Sequence, residues 1–373
     1  MPFRFVHTSD LHLGRRFGNM PDLVRGRLTE ERHGALARIA AAARSAGAGH
    51  VLVAGDVFDS ETPADQVRRQ ALGAMADDPD LVWWLLPGNH DSLAAEALWS
   101  AVAEEAPPNV RPLATDAPVT LAPGVDLLPA PVVHRYPGRD LTDHMPMASS
   151  AEGTIRIGLA HGAVTDFGEG EPDAALIPPN RAESAGLDYL ALGDWHGQRR
   201  IGPRCRYSGT PEQDRFKHDA PGSCLVVSID APGAAPEIAD IRTGHFHWLE
   251  RRLAFLPGGD AAPMLDAALP PSGRREVLMR VIAEGRLRLP EREALRRRAE
   301  RVAPDFGHFA LDDAALALEP DGADLDGIAG GGALRSAAQA LLDEVEDRDR
   351  DAGTRRVAAD ALSRLYAYAR DEA

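Results

Sequence analysis

The chain has 373 residues, 44% of them hydrophobic, and a formal net charge of −16. That length exceeds the usual size of a single core, so two domains are expected, with ample apolar content to build them. Two cysteines, Cys205 and Cys224, exclude a disulfide framework, and the lack of a signal-like segment or an apolar run of spanning length leads to the expectation of a cytoplasmic protein without membrane contact.

In chain order, Phe3-Arg4-Phe5-Val6 reads as a strand running toward Thr8-Ser9-Asp10-Leu11-His12-Leu13-Gly14. Residues 23–46 form an alanine-rich helix closed by Gly47, and 64–76 a second; both suit crossovers between parallel strands. Apolar runs at 51–54, 81–86, 155–160 and 189–192 read as strands. They lead into Gly55-Asp56, Gly88-Asn89-His90-Asp91, His161-Gly162 and Gly193-Asp194-Trp195-His196. Residues 118–133 read as strands with proline and glycine turns, 136–153 and 167–180 as loops, and 230–237 as a hairpin turn.

A boundary is expected near Gly244, after which 248–256 and 277–282 suggest strands of a small α+β cap spanning 245–322. Residues 286–302 form a mixed-charge helical segment, expected to be solvated and a candidate for DNA contact. A glycine- and aspartate-rich tether follows at 323–332. The tail, 333–373, reads as a helical hairpin with one stripe of Leu334, Ala338, Leu341 and Val345 and another of Val357, Ala361, Leu365 and Tyr368.

The motifs after the strands carry the chemistry, because open α/β sheets build their sites at the carboxyl ends of strands. Phosphodiesters resist attack by water, and two cations roughly 3.5–4 Å apart overcome this by generating hydroxide and clamping phosphoryl oxygens. Such closeness needs a bridging anion, for which Asp56 is the candidate. Asp10, His12 and His196 would complete one site; Asn89, His161 and Asp194 would complete the other. The mixture of imidazole and carboxylate suits manganese first, with iron or zinc as alternatives, over calcium. His90 is the candidate general acid or stabiliser of the leaving oxygen, with Asp91 to orient its ring. His7 reads as structural and His33 as exposed. His245 and His247 read as linker residues.

This order of motifs resembles the calcineurin-like metallophosphoesterase superfamily, in particular its SbcD-type nuclease branch, including shorter YhaO-like DNA-repair exonucleases. Tyr207-Ser208-Gly209-Thr210-Pro211-Glu212, leading through Phe216, resembles a Tyr-x-Gly-x-Pro segment of those nucleases, and the likeness covers about residues 3–230. It implies an α/β, two-sheet sandwich flanked by helices, carrying the cap and the helical tail, in a nuclease domain spanning 1–244. It also implies a metal-dependent DNA exonuclease, with endonuclease activity as an option, acting in repair. A docked SbcC-type coiled-coil ATPase would be gripped by the tail; the alternative is that the hairpin packs on its own catalytic domain. A second copy of the chain is a further candidate partner.

Two positions depart from the family pattern. The last motif usually reads Gly-His-x-His, and here Asp194 replaces the first histidine. Asp59 stands where some relatives carry a substrate-contacting histidine. Further candidate substrate contacts are Arg15, Arg16, Arg199, Arg200 and Tyr207; with Arg204 and Arg206 the arginines would form a basic rim around an acidic pit. Arginine is also this chain's default cation, since Lys217 is its only lysine. A small-molecule phosphodiesterase or phosphatase would share every metal ligand, and a non-catalytic metal-binding subunit of an ATPase complex is a third reading. No Walker A loop or Gly-x-Ser-x-Gly elbow is present, so any ATP dependence must come from a partner.

Overall fold

The structure, a computed structural model, describes residues 2–165, 176–218, 220–319 and 332–371. The chain divides into two compact units, Met1–His247 and Trp248–Ala373.

The first unit is built on two six-stranded sheets. In spatial order, one contains Glu237–Arg242, Ser223–Ile229, Phe3–Thr8, His50–Val53, Val82–Leu85 and Val110–Pro112. The other contains Arg199–Arg200, Cys205–Tyr207, Tyr189–Gly193, Ile155–His161, Val125–Ala130 and Val119–Ala122. The central strands of both are parallel, which requires crossover connections. In the first sheet two of these are the helices Asp22–Ala46 and Asp65–Ala76. Gly47 ends the first in the left-handed conformation, φ 66°, and its amide caps the carbonyl of Arg44.

Strand periodicity sorts the core into layers. Phe5, Leu52 and Trp84 point to an interior shared with Leu127, Ile157 and Tyr189 of the other sheet. Their neighbours Val6, Val51, Val53 and Trp83 pack against Leu36, Ile39, Met75 and Trp99 of the helices. Strands buried on both faces read as unbroken apolar runs, which is why they were legible in the sequence. Residues 230–237 turn between the antiparallel strands Ser223–Ile229 and Glu237–Arg242, as a hairpin.

The second unit holds a three-stranded sheet, ordered His247–Phe255, Val277–Leu287, His308–Leu318, with the helices Ala261–Ala268 and Leu289–Val302 in its core. Residues 286 and 287, read as helical from sequence, end the central strand. Leu289 opens the helix, with Pro290 in its first turn, and the Glu291 carboxylate accepts the backbone N–H of Arg288 at 2.9 Å. Its cations are less solvated than expected: Arg292 is buried and pairs with Asp313 and Asp360.

Helices Ala333–Glu346 and Ala352–Asp371 form the hairpin. The 323–332 tether lies outside the described residues except for Gly332. Ala338, Leu341 and Leu365 of the expected stripes pack inward, but the fully buried face is turned from them: Ala338 and Leu342 meet Leu362, Tyr366 and Ala369, together with Leu289 and partly buried Leu318 of the same unit. Val357 and Tyr368 stay exposed. A helix rich in alanine offers more than one weakly apolar face, and the surface it meets decides which one turns inward. Among the described residues no helix is long and apolar enough to cross a membrane.

Candidate metal centre

All the candidate ligands lie at strand ends or in the loops just beyond them. Asp10 and His12 follow Phe3–Thr8, Asp56 follows His50–Val53, Asn89 follows Val82–Leu85, His161 ends Ile155–His161, and Asp194 and His196 follow Tyr189–Gly193. Loops this tight force unusual backbone. Asp10 (φ 54°), His12 (43°), Asp56 (54°) and Asp194 (104°) lie in the left-handed region, which costs a non-glycine residue about 1–3 kcal/mol. Surrounding hydrogen bonds hold them there: the amides of Asp10 and His12 donate to the carbonyls of Gly55 and Asp56, at 3.1 and 3.0 Å. Two motif glycines admit close approach. A Cβ on Gly55 would fall 2.1 Å from His161 Nδ1, and one on Gly88 would fall 2.1 Å from Asp56 Oδ1.

Asp56 sits at the middle of the cluster. Its Oδ2 lies 3.5 Å from His12 Nε2 and 3.6 Å from His161 Nε2, while its Oδ1 accepts the amide N–H of His90 at 2.9 Å. On the His12 side, His196 Nε2 is 3.1 Å from His12 Nε2, and Asp10 Oδ1 lies 4.0 Å from His12 Nε2 and 3.8 Å from His196 Nε2. On the His161 side, Nε2 faces Asn89 Oδ1 at 3.0 Å and Asp194 Oδ1 at 3.8 Å. The groups Asp10–His12–His196, His12–Asp56–His90 and Asp10–Asp56–His161 each bring their ligand atoms within 4.8 Å of one another.

The donor set fits divalent cations. His161 Nδ1 donates to the Ala54 carbonyl at 2.8 Å and His196 Nδ1 donates to Asp214 Oδ1 at 3.1 Å. Both Nε2 lone pairs therefore face inward: that of His161 meets oxygens, where only a proton or a cation relieves the repulsion, and that of His196 meets a second imidazole nitrogen and the Arg215 guanidinium. Burial disfavours charge on His161, yet Asp56, Asp10 and Asp194 push its pKa up to about 9. Burial also raises Asp56 well above the carboxylate range, and Asp91 and Asp10 raise it further, against the pull of His161. Burial lowers His12 well below its ordinary value, reinforced by His196. Asp194 adds a third carboxylate, its pKa raised chiefly by its burial.

The structure reassigns several neighbours. Asp91 does not orient the His90 ring: its two oxygens accept the amides of Phe58 and Gly88, at 2.9 and 2.7 Å, so it clamps the two ligand loops together. Burial lifts its pKa to about 6 despite those bonds. His90 Nδ1 instead meets the Asp59 carbonyl at 3.0 Å. Tyr207 is buried and donates its hydroxyl to the Gly162 carbonyl at 2.7 Å, so it braces the backbone beside His161 and does not line a substrate path. Asp59 Oδ1 takes a contact from Arg15 at 3.2 Å and lies 3.3 Å from His12 Nδ1, though out of line for a hydrogen bond. Arg16 and Arg200 are exposed, and Arg199 lies over Trp195. Arg204 leaves the expected rim, binding the Asp188 and Ala234 carbonyls.

His7 is buried as a structural residue, between the Tyr189 hydroxyl and the Leu192 carbonyl. His33 is half-buried and not exposed. His245 is tied to the catalytic unit by its amide, which donates to Glu212, and His247 opens a strand.

Three residues escaped the sequence reading. Asp214, buried and held well below the carboxylate range by His196, Arg32 and Arg215 against its own desolvation, supports His196. Arg215 lies across Asp214 and within 3.2 Å of His196 Nε2. Arg32, buried on the Asp22–Ala46 helix, donates to the carbonyls of Leu11 and Glu212, both at 2.8 Å, and so ties the Asp10–His12 loop to the loop that carries Asp214. The nearest sequence signal was the Glu212-Gln213-Asp214-Arg215 run after Tyr207; Arg32 carried none.

Solved structures with some likeness to the chain include TT1561 of Thermus thermophilus, 11% identical, with a TM-score of 0.39 over 65% of this chain and 100% of that one. A second is 12% identical, with a TM-score of 0.38 over the same shares. No curated protein matches the chain. The model of the calcineurin-like phosphoesterase family matches residues 3–197, just over half of the chain and the span that carries all seven candidate ligands. The chain belongs to the calcineurin-like phosphoesterase family.

Proposed function

We propose that this phosphoester hydrolase is a DNA exonuclease of the SbcD type, acting on phosphodiesters in repair. Membership of the family implies divalent metal ions, and the position of Asp56 Oδ2 between His12 Nε2 and His161 Nε2 is the observation that carries a two-cation reading. Asp10, His12, His196 and Asp56 would hold one cation, and Asp56, Asn89, His161 and Asp194 the other, with manganese favoured by the mixed donors. When bound, the pair supplies the charge that polarises a phosphoryl group and activates water for attack.

The protein's own residues do the rest. Asp56 Oδ1 fixes the His90 backbone, and the Asp59 carbonyl takes Nδ1 of its ring, so Nε2 is the position from which His90 gives a proton to the leaving oxygen. Asp214 and His161's partner Ala54 hold the ligand imidazoles in the tautomer that presents Nε2. Arg15 and Arg215 rest on Asp59 and Asp214 beside the same cluster. The Tyr207–Glu212 segment, whose likeness to those nucleases supports a polynucleotide substrate, is tied to the cluster by the Thr210 hydroxyl, which donates to the Asp10 carbonyl at 2.9 Å. The exposed Val357 and Tyr368 of the tail support docking to a coiled-coil ATPase partner.

The deciding experiment compares a labelled hairpin DNA with a small chromogenic diester, each with manganese. Release of nucleotides from DNA ends supports the reading. Turnover of the diester with intact DNA would leave a small-molecule phosphodiesterase.

A further inference from the structure

Ser9 and Ser208 stand 199 residues apart in the chain and meet beside the candidate ligand Asp10, both with 0% exposure. Ser9 Oγ is 2.5 Å from Asp10 Oδ2 and 2.9 Å from Ser208 Oγ. As a metal ligand Asp10 is ionised and can only accept, so the Ser9 proton goes to Oδ2. Of the two hydroxyls, Ser208 is then the one that donates across the 2.9 Å contact, which gives a chain running from Ser208 through Ser9 to Asp10. The Gly209 carbonyl, 3.4 Å from Ser9 Oγ and 3.1 Å from Ser208 Oγ, is the more distant acceptor for each.

The chain selects the oxygen of Asp10 that is left for a cation. Oδ2 takes the Ser9 hydroxyl, and both oxygens share the Asp194 amide N–H at 3.2 Å. Oδ1 takes no hydroxyl, and it is the oxygen that lies 4.0 Å from His12 Nε2 and 3.8 Å from His196 Nε2. Without Ser9 a buried carboxylate oxygen would lose its closest donor, and the carboxylate would be freer to turn about its last bond, whose torsional preference is broad.

The segment that carries Ser208 also holds His196, a second ligand on the same side. Thr210 donates its amide to the His196 carbonyl at 3.0 Å and its hydroxyl to the Asp10 carbonyl at 2.9 Å. Two glycines admit these approaches. Gly209 is left-handed, φ 72°, and a Cβ there would fall 2.8 Å from the His196 carbonyl oxygen; a Cβ on Gly193 would fall 2.7 Å from that of Ser9.

We infer that Ser9 and Ser208 are positioning residues for the cation held by Asp10, His12 and His196: a two-hydroxyl chain that aims Oδ1 of Asp10 into the site. The inference rests on the two-cation reading and deepens it, because it makes one site separately adjustable from the other.

The test titrates manganese into the full-length, metal-free protein by calorimetry and follows thermal unfolding of the same samples. Ser9→Ala should weaken one of two binding events by about 10–100-fold, the usual worth of a group that orients a ligand. It should be the event that Asp214→Asn weakens, since Asp10 and His196 serve the same cation. Ser208→Ala should weaken that event less. The double variant should bind no worse than Ser9→Ala alone, because Ser208 acts through Ser9, whereas independent effects on packing would add. Unaltered affinities in Ser9→Ala, equal weakening of both events, or an additive double variant overturns the positioning chain and leaves the two-cation reading standing. If Ser9→Ala does not fold, Ser208→Ala decides by the same criterion of one weakened event against none or both. A wild type that binds fewer than two manganese ions overturns the two-cation reading itself.

Discussion

The Nδ1 of His196 lies 3.1 Å from Oδ1 of Asp214, eighteen residues further along the chain and on a different loop. This contact decides which ring nitrogen carries the proton: Nδ1 does, and Nε2 faces His12, Asp10 and Arg215. Asp214 is in turn held by Arg215 and Arg15, so the orientation of one candidate ligand depends on a charged network outside the metal-ligand motifs.

Asp214→Asn removes the carboxylate while keeping the shape. Partners of this kind are typically worth 10–100-fold in metal affinity, so titration calorimetry should show one of two binding events weakened by about that factor. Two unaltered events would show that Asp214 serves only the loop's packing.

Asp56→Asn should act on both binding events, because Oδ2 lies at nearly equal distance from His12 and His161. Elemental analysis after dialysis should fall from two metals per chain toward none. A variant that keeps one metal at full occupancy assigns Asp56 to a single site.

His90→Asn should retain both metals and lose about 10²–10⁴-fold in diester cleavage, the usual contribution of a positioned proton donor. The loss should shrink with a diester whose leaving group needs no proton. Equal losses on good and poor leaving groups would remove proton transfer from the role of His90.

His7 offers a pH test away from the metals. Burial depresses its pKa from 6.5 to about 3, and the neutral ring is fixed by Tyr189 and Leu192. Its contribution is therefore complete above pH 6.5 and is lost as pH falls from there toward 3, at about 1.4 kcal/mol per unit. Between pH 7 and pH 5, urea unfolding of the wild type should lose about 2 kcal/mol more than that of His7→Gln. Parallel losses in the two proteins would place the acid sensitivity elsewhere.

The sequence by itself determined the central strands and the residues at their ends. Doubly buried strands must be continuously apolar, and a ligand turn such as Gly55-Asp56 needs glycine where His161 approaches, so both leave local marks. The alternation of Val51, Leu52 and Val53 between two cores follows from the same period of two. Tertiary structure decided what each polar neighbour does. Asp91 stands next to His90 in sequence, yet its carboxylate is taken by Phe58 and Gly88 amides, because backbone donors brought together by two strand ends are nearer than the ring. Arg32 and Asp214 acquire their roles only when a helix and a distant loop meet the first strand's end. The hairpin's inward face likewise depended on what it packed against: alanine-rich helices carry several faces of similar hydropathy, and the contact of Leu342 and Leu362 with Leu289 selected one.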